Sequence, residues 1–252
     1  MKQVIAISSS GRKRHTFWLI ESTREKLEAA GIKLETIHLA DYQIRDCLGC
    51  EACILVDKCP LQDECGQLLE KLEAADGIIL TSPVYMAGVS GQLKRFIDRT
   101  CRWYHRPILV GKPVLLMTTT AGGYAEDVLN YMQKVTIFWG MKQSGRVKRT
   151  VKSWDVGVSD EELKRFIKHI QQTKQPKWRP TLDELMTFQV QKALAHHVLK
   201  RDREYWKQHH WSEKVYYTET EVPFYKKWIG NAFYYVLSQG MSKSKEIKKV
   251  PK

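Results

Sequence analysis

The sequence predicts an α/β protein in which a doubly wound, five-stranded parallel sheet is followed by a helical C-terminal extension. Short apolar runs alternate with segments whose apolar residues recur at helical spacing. Right-handed crossovers return each helix over a face of a parallel sheet, so the alternation favours helices on both faces. The run GIILTS at 77–82 is continuously apolar, as is typical of a strand buried on both faces.

The expected elements follow one another along the first part of the chain. The strands are expected at 2–8, 32–39, 77–82 and 112–120, with a fifth within 141–151. The helices are expected at 15–30, 61–76, 90–105, 124–140 and 159–172. Ser90 is a suitable N-cap for the third helix, and Gly140 is a suitable end for the fourth.

The C-terminal part of the chain departs from this pattern. Two prolines and a tryptophan interrupt it in QPKWRP, at 175–180. Residues 180–252 predict one long amphipathic helix, an aromatic-rich turn region, a second helix and a lysine-rich tail. We therefore expect a sheet domain at 1–175 and a basic, aromatic-rich helical extension at 176–252.

The composition indicates a globular protein with a basic surface. Hydrophobic residues make up 43% of the 252-residue chain, and the formal net charge is +13. No apolar run approaches the roughly 20 residues that span a bilayer, and the N-terminal MKQVIAIS carries no apolar signal region. We expect no transmembrane segment and a cytoplasmic location. The charge leaves open an acidic protein partner, an acidic membrane surface, nucleic acid or a merely solvated surface.

Four cysteines crowd into a loop after the second strand, at 46–60. They follow the spacing CxxCxxCxxxxxC, with Pro60 directly after the last, and they are Cys47, Cys50, Cys53 and Cys59. Consecutive thiolates at this spacing can converge on one small volume, as in the cysteine runs that hold [4Fe-4S] clusters. Zinc knuckles usually lie a dozen or more residues apart. A cluster is therefore favoured, while zinc and metal-free thiols stay as alternatives.

Two further cysteines lie outside this run. Cys65 and Cys101 fall on expected helices, where a free cysteine usually behaves as a small buried hydrophobe.

Polar loops follow three of the strands, at the edge where an open parallel sheet holds its ligands. The first loop offers hydroxyls, backbone donors and cations suited to a phosphate; its candidate residues are Ser8, Ser10, Arg12, His15 and Thr16. The loop after the third strand could line one side of a flat heterocycle, through Ser82, Pro83, Val84, Tyr85 and Met86. The loop after the fourth strand permits close backbone approach, through Thr118, Thr119, Thr120, Gly122 and Gly123. Each loop alone is also consistent with an ordinary turn, but together they predict one ligand site.

The cysteine run, the serine-rich first loop and two longer segments carry a resemblance. LQDECGQLLEKLEAADGIIL and SPVYMAGVSGQLKRFIDR resemble the iron-sulfur flavoprotein family, within the NADPH-dependent FMN reductase group of flavodoxin-like proteins. The resemblance covers residues 1 to about 150. The family's first loop usually reads Gly-Ser-Pro-Arg with an Asn before the Thr. This chain has Ser8, Ser10 and His15 at those places, and its arginine is displaced by one.

The resemblance implies two cofactors and an assembly. FMN would place its phosphate at the first loop and its isoalloxazine ring between 82–86 and 118–123. Apart from the resemblance, Tyr85 is the candidate for stacking on the ring, and it could equally pack under the edge of the sheet. A [4Fe-4S] cluster would bind the four clustered cysteines, and the chain would form a homodimer or homotetramer.

The expected function is that of an FMN-dependent oxidoreductase or electron-transfer flavoprotein that passes electrons between FMN and the cluster. We expect no catalytic side chain; NAD(P)H or an acidic carrier such as ferredoxin is the expected donor, and no nucleic acid is expected as a partner. One alternative is a cluster-free NAD(P)H-dependent quinone or flavin reductase. Another is a binding module in which the extension's aromatics meet membrane or nucleic acid. We favour instead that these aromatics cover the sheet domain or build an oligomer. They include Trp206, Trp211, Trp228, Tyr234 and Tyr235.

Overall fold

Five parallel strands form one sheet in the order β2-β1-β3-β4-β5 in the computed structural model, which describes residues 1–172 and 178–242. The strands are β1 (Lys2–Ser8), β2 (Ile32–His38), β3 (Gly77–Pro83), β4 (Pro113–Thr120) and β5 (Lys142–Thr150). This order is that of flavodoxin-like doubly wound sheets. The predicted fold class is therefore confirmed.

Eleven helices accompany the sheet in the described ranges. They are α1 (His15–Glu21), α2 (Arg24–Ala29), α3 (Ala52–Leu55), α4 (Cys65–Ala74), α5 (Gly91–Asp98), α6 (Cys101–His105), α7 (Ala125–Phe138), α8 (Asp160–Gln171), α9 (Leu182–His197), α10 (Lys200–Gln208) and α11 (Phe224–Ser242).

The sheet separates two hydrophobic cores. One face packs against α4, α5 and α7, through side chains such as Leu72, Phe96 and Met132. The other face packs against α1, α2 and α8, through side chains such as Leu19 and Phe166. Fully burying one such side chain stabilises the fold by about 1.5–3 kcal/mol, so the two cores hold the strand ends in fixed relative positions.

Two expected helices are each broken in two, and hydroxyl side chains explain where. In the expected helix 15–30, Ser22 Oγ donates to the Leu19 carbonyl at 2.8 Å and Thr23 Oγ1 to the Ile20 carbonyl at 2.7 Å. In the expected helix 90–105, Thr100 Oγ1 donates to the Ile97 carbonyl at 2.7 Å. Serine and threonine hydroxyls that bond nearby carbonyls compete with the helical backbone ladder. The chain therefore turns at these points and starts a new helix.

The extension forms its own aromatic cluster and packs on the sheet domain. Buried rings from the segment before α9, from α9 and α10, and from the turns after α10 make up the cluster: Trp178, Phe188, Trp206, Trp211, Tyr216 and Tyr217. Gln191 of α9 donates to the carbonyls of Tyr104 at 2.7 Å and Phe138 at 2.9 Å, which fixes α9 on the sheet domain. Two of the aromatics named for the binding-module alternative, Trp206 and Trp211, are thus buried within the extension.

The long helix expected at the start of the extension is divided between α9 and α10. Leu199 adopts an extended backbone, φ −120° and ψ 125°, and ends the helical path. The turn lets α10 fold back, so that Trp206 reaches the aromatic cluster. The expected lysine-rich tail, at 243–252, and the residues 175–177 of QPKWRP lie outside the described residues.

Within the two described ranges, none of the helices combines the length and the apolar content that crossing a membrane requires.

Candidate functional site

A cleft of about 400 Å³ lies at the carboxyl edge of the sheet, where the ends of β1, β3 and β4 meet. Its volume falls within the range of about 300–1,000 Å³ that is usual for small-molecule sites. The lining residues are Ser10, Arg12, Arg14, His15, Thr16, Pro83, Val84, Tyr85, Thr119, Thr120, Ala121 and Trp154. The structure thus brings the three predicted loops together around one volume.

The first loop offers donors that the protein does not use. The backbone N–H groups of Gly11, Arg12 and Lys13 have no acceptor among the described residues. The side chains of Arg12 and Arg14 are exposed and lack a carboxylate partner in the described parts of the chain. The Ser10 hydroxyl donates to the Arg12 carbonyl and so shapes the turn. Free amides and unpaired cations beside a cleft fit the phosphate of the expected FMN.

A buried pair of threonines joins the first loop to the fourth-strand loop. Thr16 Oγ1 lies 2.7 Å from Thr119 Oγ1, and both side chains are buried. Thr120 Oγ1 accepts from the Gly122 amide at 3.1 Å and donates to the Gly123 carbonyl at 3.0 Å. These bonds fix the back wall of the cleft.

The loop after β3 folds into a tight, strained turn. The amides of Tyr85 and Gly88 donate to each other's carbonyls at 2.9 Å, and Met86 and Ala87 have φ of 46° and 61°. Two successive positive φ angles belong to a type I′ turn, which ordinarily calls for Gly, Asn or Asp. Strain of this kind concentrates at functional sites. The turn leaves the Tyr85 ring half-exposed on the rim of the cleft.

Trp154 is a cleft residue that sequence reasoning missed. It follows β5 and stacks on the His15 imidazole, with ring centroids 4.1 Å apart and an interplanar angle of 18°. Its Nε1 is buried without an acceptor in the part of the chain that the structure describes. The prediction rested on the loops after β1, β3 and β4, although an aromatic residue shortly after the end of β5 was a readable signal. Arg14 and Ala121 were missed as well.

Some of the predicted site residues do not line the cleft. They are Ser8, Ser82, Met86, Thr118, Gly122 and Gly123. The buried ones shape the loops instead: Ser8 Oγ lies 3.1 Å from His38 Nδ1, Ser82 Oγ accepts from the Ser90 amide at 2.9 Å, and Thr118 donates to the Ser82 carbonyl at 2.8 Å. Their contact with a cofactor stays a prediction.

A second cavity, of about 240 Å³, lies in the cysteine loop. Five thiols line it: Cys47, Cys50, Cys53, Cys59 and Cys101. The expectation that Cys101 is buried was wrong, because the helix break at Thr100 makes Cys101 the exposed first residue of α6. Cys65 is buried as expected. Among the described residues, no three Cys, His, Asp or Glu side chains are close enough to hold a metal ion as they stand.

A buried ion pair holds the two ends of the cysteine loop. Arg99 donates from Nη2 to Asp63 Oδ1 at 3.1 Å and from Nη1 to the Arg45 carbonyl at 2.9 Å, and the carboxylate accepts from the Arg45 amide at 2.8 Å. Both side chains of the pair are 3% exposed. Although burial opposes it, the hydrogen bond to Asp63 raises the pKa of Arg99. The guanidinium is therefore a permanent positive charge beside the thiols.

The Cys53 thiol is neutral in the folded chain without a cation. Burial, together with the neighbouring thiols of Cys101 and Cys59, raises the pKa of Cys53 to about 11. A metal bound by Cys53 would have to displace this proton, since thiolates are the metal-binding form. The thiols are donors of the type that a metal-sulfur centre uses, although those of the described residues are not gathered around one point.

Three comparisons place these features beside known proteins. Residues 1–154 match the model of a family described as NADPH-dependent FMN reductase. An iron-sulfur flavoprotein of Archaeoglobus fulgidus is 32% identical over 221 residues, which cover 82% of this chain and 98% of that protein. A quinone reductase of Escherichia coli K12 is 29% identical over 127 residues, which cover 48% of this chain and 61% of that protein. A solved structure titled flavone reductase has a TM-score of 0.51 at 16% identity, covers 67% of this chain and 60% of its own, and supports the fold alone.

Proposed function

Because the chain belongs to the NADPH-dependent FMN reductase family, and within it to the iron-sulfur flavoproteins, it is an FMN-dependent oxidoreductase, and we propose that it passes electrons between FMN and a [4Fe-4S] cluster. The observation that carries the proposal is the presence of both a cleft at the sheet edge and a separate cavity lined by five thiols. When bound, FMN exchanges electrons singly or in pairs and a [4Fe-4S] cluster passes them one at a time.

The cleft residues divide into three tasks. The free amides of 11–13 and the Arg12 guanidinium would hold the phosphate. Pro83 to Tyr85 and Thr119 to Ala121 would bracket the ring, because they line the cleft on the ends of adjacent strands. The stack of Trp154 on His15 forms one side of the cleft. None of these tasks requires a side chain to transfer a proton.

The cysteine loop would hold the cluster. Cys47, Cys50, Cys53 and Cys59 provide the four thiolates, and Arg99 offsets part of their negative charge. The loop must contract for this, because among the residues described the thiols form no ready group of three.

An acidic electron carrier such as ferredoxin is the partner that the charge favours. The chain carries a net charge of +13, and complementary fields speed encounter and weaken as salt is added. NAD(P)H is the other proposed donor. If reduction by ferredoxin kept the same rate from low to high ionic strength, the ferredoxin proposal would fail.

We also propose that the chain assembles as a homodimer or homotetramer. Large apolar side chains on α11 are exposed in the single chain, including Phe224, Tyr225, Trp228, Tyr235 and Val236. Exposed apolar groups of this size commonly mark subunit contacts. Light scattering on purified protein gives the mass directly, and a monomer would refute the proposal.

The test of the proposed function uses protein purified without oxygen. Cys50→Ala, at an exposed thiol of the cavity, should lose iron and sulfide and retain FMN. Cys65→Ala is the matched control, since this thiol is buried in the core and lies outside the cavity. Equal iron in both variants would contradict the proposed ligand set.

A cluster-free NAD(P)H-dependent quinone or flavin reductase is the second candidate. Two observations favour it: among the described residues no three thiols lie close enough to hold a metal ion, and the chain is similar to a quinone reductase. Rapid quinone reduction by protein that takes up FMN but no iron during anaerobic reconstitution would select this candidate.

A further inference from the structure

A second buried arginine, Arg106, holds the middle of the cysteine loop. Its Nη2 donates to the Cys53 carbonyl at 2.7 Å, and its Nη1 donates to the Ile54 carbonyl at 3.1 Å. These two carbonyls belong to α3, the single helical turn inside the loop. The position of Cys53 therefore depends on where Arg106 is held.

The C-terminal extension supplies the group that holds Arg106. Asp202, near the start of α10, accepts from Arg106 Nη1 at 2.7 Å through Oδ1, and its Oδ2 lies 2.9 Å from His105 Nδ1. Arg106 is 5% exposed and Asp202 is 1% exposed. Asp57 Oδ1 lies 3.4 Å from Arg106 Nη2, but the Asp57 side chain is half-exposed. Asp202 is thus the only fully buried carboxylate on this guanidinium among the described residues.

The helix that carries Asp202 is fixed independently of the loop. One turn further along α10, the Trp206 indole N–H donates to the His105 carbonyl at 3.0 Å, and its ring lies in the aromatic cluster. Tyr205 Oη donates to the Pro107 carbonyl at 3.2 Å. α10 is therefore seated on residues 105–107 with Asp202 aimed at the guanidinium.

The contact between Arg106 and Asp202 matters for stability because both charges are buried. Removing one partner of a buried ion pair leaves an uncompensated charge, which is far more costly than losing an exposed pair. Arg106 Nε already lacks an acceptor within the described residues. Without the Asp202 carboxylate, the Arg106 guanidinium would gain hydration by turning toward water, and it would then release the carbonyls of Cys53 and Ile54. The clamp of Arg99 and Asp63 would still hold the ends of the loop, because its hydrogen bonds in the described part of the chain all lie within the sheet domain.

We propose that Asp202 is a positioning residue for the metal-binding loop: through Arg106, the C-terminal extension orders the Cys53 segment for cluster binding. This inference rests on the proposed function, since it concerns the same four thiols. The matched family model ends at residue 154, so the residue that carries this role belongs to the part of the chain that the family match leaves out.

The test compares Asp202→Asn with Glu204→Gln. Both changes remove one negative charge from α10, but Glu204 is exposed and makes only a 3.8 Å ion pair with Lys200. Partners that orient ligands typically affect metal affinity by about 10–100-fold. We expect Asp202→Asn to lose iron to a chelator at least about tenfold faster than wild type, at unchanged FMN affinity, and Glu204→Gln to match wild type. Loss of iron from Asp202→Asn at the wild-type rate would overturn the inference.

A second measurement separates this inference from the proposed function. In protein without metal, alkylation of Cys53 by iodoacetamide, followed by mass spectrometry, reports the order of the loop. We expect faster alkylation of Cys53 in Asp202→Asn and unchanged alkylation of Cys65, even if wild-type protein never takes up iron. Equal Cys53 rates in wild type and variant would overturn the inference, whereas absence of iron from wild type would count against the proposed function alone.

A double variant covers the case in which Asp202→Asn does not fold. Asp202→Asn with Arg106→Gln removes both buried charges, which is commonly far less costly than removing one. The double variant should fold and still lose iron at least about tenfold faster than wild type. Retention of iron equal to wild type would overturn the inference.

Discussion

The guanidinium of Arg99 lies 3.4 Å from the sulfur of Cys59, with Nη2 as the donor. The same guanidinium is paired with Asp63, and both side chains are buried. One arginine thus joins the buried Asp63 carboxylate to a thiol of the proposed cluster. Removing Arg99 should therefore lower the stability of the fold and disturb the cysteine loop.

Arg99→Gln should lower the free energy of unfolding by about 3–5 kcal/mol, because it leaves the Asp63 carboxylate buried without its cation. Arg95→Gln is the control, since Arg95 pairs with Asp46 on the surface and such pairs contribute about 0–1 kcal/mol. Urea unfolding measures both changes. Similar losses in the two variants would show that the buried pair has no special weight.

Trp154→Ala should weaken FMN binding by up to about tenfold. The indole closes the cleft by stacking on His15, and one aromatic pair contributes about 0.5–1.5 kcal/mol beyond its buried area. FMN fluorescence titration gives the dissociation constants. Trp228→Ala, on the exposed side of α11, should leave the constant unchanged. An unaltered affinity in Trp154→Ala would remove this residue from the site.

Ala87→Gly should stabilise the fold by about 0.5–1 kcal/mol. Ala87 has φ of 61°, a conformation that costs a non-glycine residue about 1–2 kcal/mol. Glycine removes this strain, but it also raises the entropy of the unfolded chain, which offsets about 0.5–1 kcal/mol of the gain. Ala29→Gly, within α2, should have the opposite sign and cost about 1 kcal/mol. The unfolding midpoints decide, and destabilisation by Ala87→Gly would contradict the strained turn.

His169 should make the fold less stable in mild acid. Burial, followed by the nearby cations Lys142, Arg165 and Lys168, lowers the pKa of His169 to about 4. The folded state therefore binds this proton less readily than the unfolded state, whose histidine pKa is about 6.5. This contribution to stability is complete above pH 6.5, declines as the pH falls, and is fully lost below about 4.

The measurement is urea unfolding at pH 7.5 and pH 5. Allowing for screening by solvent, His169 should account for about 1 kcal/mol of the decline between these values. His169→Gln keeps a side chain able to bond the Ser144 hydroxyl, 2.7 Å from Nδ1 in wild type, and should show a smaller decline. An identical decline in variant and wild type would contradict this assignment.

Local patterns were sufficient for the sheet and most of the cleft. Apolar runs and helical spacing predicted all five strands, and loop chemistry at the ends of β1, β3 and β4 predicted loops that do meet. The helix breaks were missed because a threonine such as Thr100 is compatible with a continuous helix in the sequence pattern. Only the structure shows that its hydroxyl bonds to the Ile97 carbonyl. Cys101 was misjudged for the same reason.

Long-range pairings were beyond such reasoning. Asp202 and Arg106 are 96 residues apart in sequence, and neither lies in a motif that indicates the other. Trp154 meets His15 only because the sheet brings the end of β5 back over the first loop. Contacts of this kind form only when the whole chain has folded, so no local sequence pattern indicates them.

Anaerobic purification followed by parallel assay of FMN, iron and acid-labile sulfide decides whether the chain carries both a flavin and a cluster. We expect about one FMN and about four iron and four sulfide ions per chain, with a flavin spectrum and a broad brown shoulder that both bleach on reduction. Colourless protein that takes up neither FMN nor iron during anaerobic reconstitution would contradict this expectation.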